Sequence, residues 1–82
     1  MLPTPEQVRQ YIADHLPCEH IEVVGDGSHF EAIIVSPAFE GKRRIARHQL
    51  VYASLGERMK EEIHALSMRT LTPDEYKANP NG

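Results

Sequence analysis

A β-hairpin signature in the first half of the chain most constrains what this sequence can fold into. Two segments rich in Ile and Val, residues 20–24 and 30–35, flank the turn-forming sequence Gly-Asp-Gly-Ser at residues 25–28. The second segment does not alternate cleanly between apolar and polar residues, so we expect it to be the more buried strand, inside the sheet. The remaining segments must then cover one face of this sheet.

The segment before the hairpin is predicted to form an amphipathic helix. Thr4 can cap its first turn, Pro5 suits the first helical position, and Gln7 stands where a capping box requires it. One face then repeats at helical spacing until Pro17 ends the pattern. The residues of that face are Val8, Tyr11, Ile12, His15 and Leu16. We expect this stripe to pack on the sheet.

The second half of the chain is predicted to contain two helices and a last strand. A loop over residues 36–41 precedes a helix over 42–55, which Gly56 terminates. A short helix over 57–62 and a strand over 63–71 follow. A strand that returns after a helical crossover can run parallel to its neighbour. The order of elements therefore indicates the α+β class with a mixed sheet.

The C-terminal residues carry a further capping signature, Thr-Pro-Asp-Glu at residues 72–75. The residues beyond Tyr76 are rich in Pro and Asn, which favours a frayed end. We therefore expect a single domain over residues 1–76 and a disordered tail over residues 77–82.

Composition and charge exclude several classes of protein. Of the 82 residues, 40% are hydrophobic and 26% charged, and the formal net charge is -3, so we expect one ordinary soluble domain without a global attraction for nucleic acid. The single cysteine, Cys18, excludes an internal disulfide and a thiolate metal cage within one chain. No apolar stretch approaches the roughly 20 residues that span a bilayer, and the N-terminus resembles no export or transit signal. We expect a cytoplasmic protein without a membrane segment.

Four motifs in the right order resemble the BolA family, and particularly its short-loop branch, the YrbA-like or IbaG-like proteins. They are Gly-Ser-His-Phe at 27–30, Phe-Glu-Gly-Lys at 39–42, Arg-His-Gln-Leu-Val-Tyr at 47–52 and Ile-His-Ala-Leu-Ser at 63–67, followed by Thr-Leu-Thr-Pro at 70–73. The resemblance extends from about Pro5 to Tyr76. It implies a fold similar to the class II KH domain, α-β-β-α-α-β, with a three-stranded mixed sheet covered by helices.

The same resemblance implies a non-enzymatic partnership with monothiol, CGFS-type glutaredoxins. In such pairs a two-iron two-sulfur cluster lies between the proteins, held by the glutaredoxin cysteine and glutathione on one side and by histidine or cysteine of the BolA-like protein on the other. The histidine that opens the last strand corresponds to His64. The second ligand comes from the loop between the first two strands, where His29 is the nearest candidate, although family members with a longer loop carry their ligand in a segment that this sequence lacks.

Simpler explanations stand beside these roles. A histidine at a strand end is often a purely structural residue, and this alternative stays open for both His29 and His64. The sequence contains no HExxH or CxxC spacing and no Ser-His-Asp order with a nucleophile elbow, so we expect no catalytic activity. A protein-interaction adaptor without a cluster, or a homodimer, also stays open.

The second predicted helix carries a basic face on an acidic protein. The helix has Ala46, Leu50 and Ala53 on one side, and its other side holds Arg43, Arg44, Arg47 and His48, with Val51 among them. The basic residues are either a solvated face or a surface for an acidic partner or for phosphate. Phosphate binding supports a second hypothesis, a nucleic-acid-binding transcription regulator involved in a stress response. Against it, the helix junction at residues 55–58, Leu-Gly-Glu-Arg, lacks the GxxG sequence of KH domains.

Overall fold

The computed structural model describes residues 3–57 and 65–78 of the chain. Strand β1 spans His20–Gly25, β2 spans Phe30–Val35 and β3 spans Leu66–Leu71. They form one sheet in the order β1-β2-β3, with β1 antiparallel and β3 parallel to β2. The mixed sheet is confirmed, and β2 is its central strand, as its poorly alternating sequence predicted.

The described helices lie before, between and after these strands. Helix α1 spans Pro5–His15, a 3-10 helix spans Pro37–Phe39, α2 spans Arg44–Leu55 and α3 spans Pro73–Ala78. Helix α2 begins two residues later than predicted, because Arg43 is still extended, with φ -80 and ψ 168. No helix among the described residues is long and apolar enough to cross a membrane.

Some predicted elements fall on residues that the structure does not describe. The short helix over 57–62 lies outside the described residues except for its first position, and so do the first two residues of the strand predicted over 63–71. The described elements are otherwise compatible with a class II KH-like order. At the C-terminus we expected a tail from residue 77, but α3 includes Lys77 and Ala78. Residues 79–82 lie outside the described part of the chain.

Helix α1 forms as its capping residues predict. The N–H of Gln7 donates to the Thr4 hydroxyl at 3.1 Å, and the N–H of Thr4 donates to the Gln7 side-chain oxygen at 2.9 Å. His15 belongs to the predicted stripe but is exposed at the end of the helix, where its Nδ1 lies 3.0 Å from the Tyr11 carbonyl. The buried residues of the inward face are Val8, Ile12 and Leu16.

One hydrophobic core lies between the helices and one face of the sheet. Its buried side chains are Val8, Ile12, Leu16, Ile21, Phe30, Ala32, Ile34, Phe39, Val51 and Leu55. Val23, Leu66 and Met68 pack against this cluster from the sheet. The α1 stripe therefore faces the sheet, as predicted. The alternate strand residues Glu22, Glu31 and Arg69 are exposed on the opposite face.

The inward side of α2 is shifted from the apolar side that its sequence suggested, although Leu50 of that side also packs against the core. Its buried residues are Val51, Ser54 and Leu55, whereas Ala53 is exposed. Arg47 lies one turn before Val51 on the same side of the helix. The inward side of α2 therefore begins with an arginine, and one of the four predicted surface residues lies at the edge of the core.

Candidate functional site

The loop between β1 and β2 holds His29 at one end of the sheet. The carboxylate of Asp26 accepts hydrogen bonds from the backbone N–H of His29 at 2.9 Å and of Ser28 at 3.0 Å, and from the Ser28 hydroxyl at 3.2 Å. The hydrogen bonds, that from the His29 N–H above all, lower the pKa of Asp26 because they favour its charged form. The Asp26 N–H in turn donates to the His29 carbonyl at 3.2 Å, which closes the loop.

Two glycines allow this loop to close so tightly. A Cβ on Gly25 would lie 2.4 Å from the His29 carbonyl oxygen and 2.7 Å from the Phe30 ring, so no larger residue fits without a backbone shift. Gly27 has a φ of 101°, a conformation that residues with side chains rarely adopt. The Gly-Asp-Gly-Ser sequence thus specifies the loop conformation as well as the hairpin.

The loop end of β2 lies beside the start of β3. The Phe30 N–H donates to the Ala65 carbonyl at 2.9 Å, and Phe30 pairs with Leu66 in the parallel ladder. Phe30 directly follows His29, and Ala65 directly follows His64. The residues that follow the two candidate ligands are therefore hydrogen-bonded to each other. His64 itself lies outside the described residues.

The His29 imidazole has the properties that a ligand for a shared metal group requires. It is exposed, and its ring makes no hydrogen bond to any residue that the structure describes. Among the described residues no three His, Cys, Asp or Glu side chains cluster to hold a metal ion by themselves. A neutral imidazole is a suitable ligand for the iron of a two-iron two-sulfur cluster when thiolates hold the rest. His29 therefore fits such a group as a contributor rather than as part of a complete site.

The only cysteine lies elsewhere. Cys18 is half-buried, and its thiol donates to the Leu16 carbonyl at 3.3 Å. Burial raises the pKa of the Cys18 thiol, and the nearby Arg9 opposes this only partly. The next residue, Glu19, bonds to the carbonyl of Val35, which is at the opposite end of β2 from His29. Cys18 therefore lies at the wrong end of the sheet to be a partner ligand to His29.

The far end of the sheet contains a cluster that the sequence reasoning missed. The His20 ring stacks on Tyr76 of α3, with ring centroids 5.1 Å apart, and its Nε2 lies 2.5 Å from a Glu22 carboxylate oxygen. The stacked rings join α3 to β1, whereas the contact with Glu22 lies within β1. The period-two spacing of His20 and Glu22 was visible, but the tertiary position of Tyr76 was not.

A groove lies along β3 on the side away from β2, bounded by the start of α2 and by α3. We call it the basic groove; its volume is about 810 Å³, and it is lined by Lys42, Arg43, Arg44, Arg47, His48, the β3 residues Met68 to Leu71, and Glu75 and Ala78 of α3. All four predicted surface residues line the groove: Arg43, Arg44, Arg47 and His48. Arg69 of β3 also lines it, although its place in the sequence gave no sign of this. Arg69 joins the others only because β3 lies beside α2.

Arg47 differs from its neighbours because its guanidinium is used within the protein. Its Nε donates to the Lys42 carbonyl at 2.7 Å, and its Nη1 donates to the Thr70 carbonyl at 3.0 Å. Nη1 and Nη2 also donate to the two carboxylate oxygens of Glu75, at 2.7 and 3.2 Å. The side chain is only 13% exposed. The expectation that Arg47 is an exposed surface charge is therefore corrected: it ties α2 to β3 and α3.

Glu75 completes this tie at the start of α3. The Thr72 N–H donates to its carboxylate at 2.8 Å, and the Glu75 N–H donates to the Thr72 hydroxyl at 3.1 Å, so the capping signature forms a capping box. The hydrogen bonds from Arg47, followed by that from the Thr72 N–H, lower the pKa of Glu75 to about 2. The ion pair and the cap therefore share one carboxylate.

The arginines at the start of α2 are not engaged by the described residues as Arg47 is. Arg43 and Arg44 are exposed, and neither has an ion pair or hydrogen bond from its side chain to any residue within 3–57 or 65–78. Helix α2 also begins without a side-chain cap and without an acidic residue in its first turn. The positive end of the helix dipole adds to these charges. His48 is half-buried in the wall of the groove.

Three relatives are similar to this chain over about two thirds of its length or more. Protein BOLA2 of Arabidopsis thaliana is 47% identical over 79 residues, which cover 90% of this chain and 84% of that protein. The acid stress protein IbaG of Escherichia coli (strain K12) is 35% identical over 71 residues, covering 85% and 84%. The DNA-binding transcriptional regulator BolA of Haemophilus influenzae is 44% identical over 54 residues, covering 66% of this chain and 52% of that protein.

The fold and the family model agree with these matches. The solved structure of a bolA protein homologue from Coxiella burnetii is similar with a TM-score of 0.81 and 44% identity, covering 93% of this chain and 99% of that one. The family model described as BolA-like protein matches residues 6–75. By its motifs, its mixed sheet and these relatives, IbaG among them, the chain belongs to the BolA-like family.

Proposed function

We propose that this protein is a non-enzymatic partner of a monothiol glutaredoxin and shares a bridging two-iron two-sulfur cluster with it, for iron-sulfur trafficking or iron sensing. In this proposal His29 and His64 are the ligands from this chain, and the glutaredoxin cysteine and glutathione supply the thiolates. The observation that carries the proposal is the hydrogen bond from the Phe30 N–H to the Ala65 carbonyl, since it joins the two residues that follow these histidines.

The loop around His29 is suited to offering a side chain to another molecule. The Asp26 carboxylate holds the His29 backbone, while the imidazole itself is exposed and unbonded among the described residues. A backbone held in this way loses less conformational freedom when the ring binds a partner's metal. The bound cluster would supply redox or transfer chemistry, and histidine in place of thiolate raises the reduction potential of such clusters.

The test replaces each histidine and reads the cluster directly. His29→Ala and His64→Ala proteins are mixed with a cluster-loaded monothiol glutaredoxin, and the visible absorption and circular dichroism of the mixture are recorded. We expect each variant to alter the spectrum, because one iron loses a nitrogen ligand and recruits another or releases the cluster. His15→Ala is the matched control, since His15 is exposed at the end of α1 and should give the wild-type spectrum.

Unchanged cluster spectra in the histidine variants would contradict histidine ligation. If both single variants and the double variant give the wild-type spectrum and the same cluster stability, neither histidine is a ligand. An adaptor role without ligation would then replace the proposal.

A second candidate function is a nucleic-acid-binding transcriptional regulator, and the basic groove is the observation that favours it. Exposed arginines that contact phosphates make binding fall steeply with salt. The relative from Haemophilus influenzae is named as DNA-binding. The net charge of -3 opposes this role. Retention on double-stranded DNA at physiological salt, lost in an Arg43→Glu and Arg44→Glu double variant, would favour the regulator over the glutaredoxin partner.

A further inference from the structure

We propose that the basic groove binds an extended acidic peptide segment of another protein, which adds as a fourth strand along the free edge of β3. The site differs from the one proposed for the cluster. It combines backbone groups and cations that have no partner among the described residues, and these two features select an extended anionic polypeptide.

The outer edge of β3 offers backbone hydrogen-bonding groups. The Ala65 and Leu71 carbonyls accept hydrogen bonds from β2, from the N–H groups of Phe30 and Ser36. In a parallel ladder alternate residues bond to the neighbouring strand, so the N–H and carbonyl groups of Met68 and Thr70 point away from β2. The Arg47 hydrogen bond to the Thr70 carbonyl agrees with this direction.

Three of these four outward groups have no hydrogen-bond partner in the part of the chain that the structure describes. Arg47 occupies the Thr70 carbonyl, but no residue within 3–57 or 65–78 bonds to the Met68 N–H, the Met68 carbonyl or the Thr70 N–H. An edge strand with unpaired groups is a template for another strand unless it is blocked. Peptides that add to a sheet edge obtain affinity from main-chain hydrogen bonds and selectivity from the surrounding side chains.

The charges around this edge select an acidic ligand. Lys42, Arg43, Arg44 and Arg69 line the groove, and none has an ion-pair partner among the described residues. Glu75 supplies the single carboxylate among the described residues of the wall, and Arg47 neutralises it. The groove is thus strongly positive on a protein whose formal net charge is -3. Complementary charge of this kind speeds encounter and discriminates between partners.

The basic groove and the loop that holds His29 lie toward different ends of β3. The loop lies at the start of the strand, where Phe30 pairs with Leu66, whereas the groove follows Met68 to Leu71 and reaches α3. A peptide in the groove would therefore leave the His29 end accessible. Such an arrangement allows a third protein to bind while the glutaredoxin is bound, which would bring a recipient or a regulator to the same complex.

The structure favours a peptide over a nucleic acid in this groove. Single-stranded nucleic acid is bound with aromatic side chains on which bases stack, and no aromatic side chain lines the described groove apart from the His48 imidazole. A peptide backbone also repeats N–H and carbonyl groups at the spacing of the strand edge, which a nucleic-acid backbone does not. The charges alone would suit both an acidic peptide and a nucleic acid, but the backbone groups at the edge of β3 favour the peptide.

The experiment uses the whole protein without glutaredoxin, so its outcome is independent of cluster binding. The probe is a fluorescein-labelled peptide of alternating Glu and Val, and binding is followed by fluorescence anisotropy. A second peptide has the same sequence and charge but is N-methylated at every central residue. We expect saturable binding of the first peptide, strong loss with the second, and protection of the Met68 and Thr70 N–H groups from hydrogen exchange when the first is bound.

Variants of the protein test the charges. Arg44→Glu and Arg69→Glu should each weaken binding roughly fivefold, as expected for reversing one partly exposed charge beside an anionic ligand. A glutamate at position 44 suits the first turn of α2, so the variant should keep its fold. Lys77→Glu is the matched control, because Lys77 is an exposed cation of α3 outside the groove lining and should leave binding nearly unchanged.

Several outcomes would overturn the proposal. Equal binding of the two peptides, or no protection of the Met68 and Thr70 N–H groups, would exclude strand addition. Equal weakening by Arg44→Glu and Lys77→Glu would show a response to net charge alone. Absence of binding even at low salt would exclude the site. Tighter binding of a single-stranded DNA oligonucleotide, competing with the peptide, would assign the groove to nucleic acid.

Discussion

At the residue scale, Asp26 determines how the candidate ligand is presented. Its carboxylate receives the N–H groups of Ser28 and His29 and so holds the short loop in one conformation. The loop conformation depends on two glycines and an aspartate, residue types whose presence in a turn is usually explained by the turn conformation alone. Here the same residues also place an exposed imidazole beside the start of β3.

A change at Asp26 should therefore affect the cluster more than the fold. In Asp26→Ala the loop loses its side-chain acceptor, and His29 should be less well held. We expect the circular dichroism of the glutaredoxin-bound cluster to change in the direction of His29→Ala but by less, while the thermal midpoint stays close to that of the wild type. Asp26→Asn keeps one acceptor oxygen and is the control. A wild-type spectrum for Asp26→Ala, where His29→Ala alters it, would show that the loop conformation is irrelevant to ligation.

At the scale of elements, one ion pair joins α2, β3 and α3. Arg47 bonds to the Thr70 carbonyl and to both carboxylate oxygens of Glu75, which also caps α3 through Thr72. When an arginine donates to both oxygens of one carboxylate, the charge-assisted hydrogen bonds fix the relative orientation of the two side chains better than a single contact does. Arg47, which its sequence position grouped with the exposed cations, therefore forms part of the wall of the basic groove.

This ion pair predicts a definite dependence of stability on pH. The pKa of Glu75 falls from its ordinary value of 4.5 to about 2 in the folded protein, so its contribution is complete above pH 4.5 and is lost as the pH falls toward 2. The Glu75→Gln variant lacks this contribution, and its free energy of unfolding should fall less across that range in urea titrations. Because Glu75 is partly exposed, high salt should reduce the difference.

The neighbouring residue gives the control for this titration. Asp74 also lies in the first turn of α3 but makes no ion pair with a described residue. Asp74→Asn should keep the wild-type pH dependence between 4.5 and 2. Parallel curves for the wild type and Glu75→Gln would show that the Arg47 contact does not stabilise the fold.

At the scale of the whole molecule, one core supports two surfaces at different ends of a three-stranded sheet. Helices α1 and α2 cover one face, and the buried stripe of α1 is the largest contribution of the N-terminal segment to the core. The loop that holds His29 and the basic groove both depend on the strands that this core holds in register. Loss of core packing should therefore affect both surfaces through stability rather than through direct contact.

Truncation of Ile12 tests this layer arrangement. Ile12 is fully buried, so Ile12→Ala should reduce the free energy of unfolding by about 2–5 kcal/mol, the usual cost of a cavity in a packed core. Ile45 is 73% exposed, and Ile45→Ala should change stability by no more than about 0.5 kcal/mol. Denaturation in urea measures both values. Similar costs for the two variants would contradict the described core.

The sequence by itself determined the elements whose hydrogen bonds are local. The α1 capping box, the Gly-Asp-Gly-Ser turn and the stop of α2 at Gly56 all depend on hydrogen bonds between residues that lie close together in the chain, so the local sequence specifies them. Family motifs also identified His29 and His64 as candidates. None of these required knowledge of which strand lies beside which.

Only the tertiary structure decided how distant segments meet. The parallel placement of β3 beside β2 brings Ala65 to Phe30 and exposes the Met68 edge to the basic groove. It also brings Thr70 and Glu75 within hydrogen-bonding distance of Arg47, which the sequence grouped with the exposed cations of α2. These contacts join residues far apart in the chain, and their energy depends on the packed core as a whole, so no local pattern in the sequence encodes them.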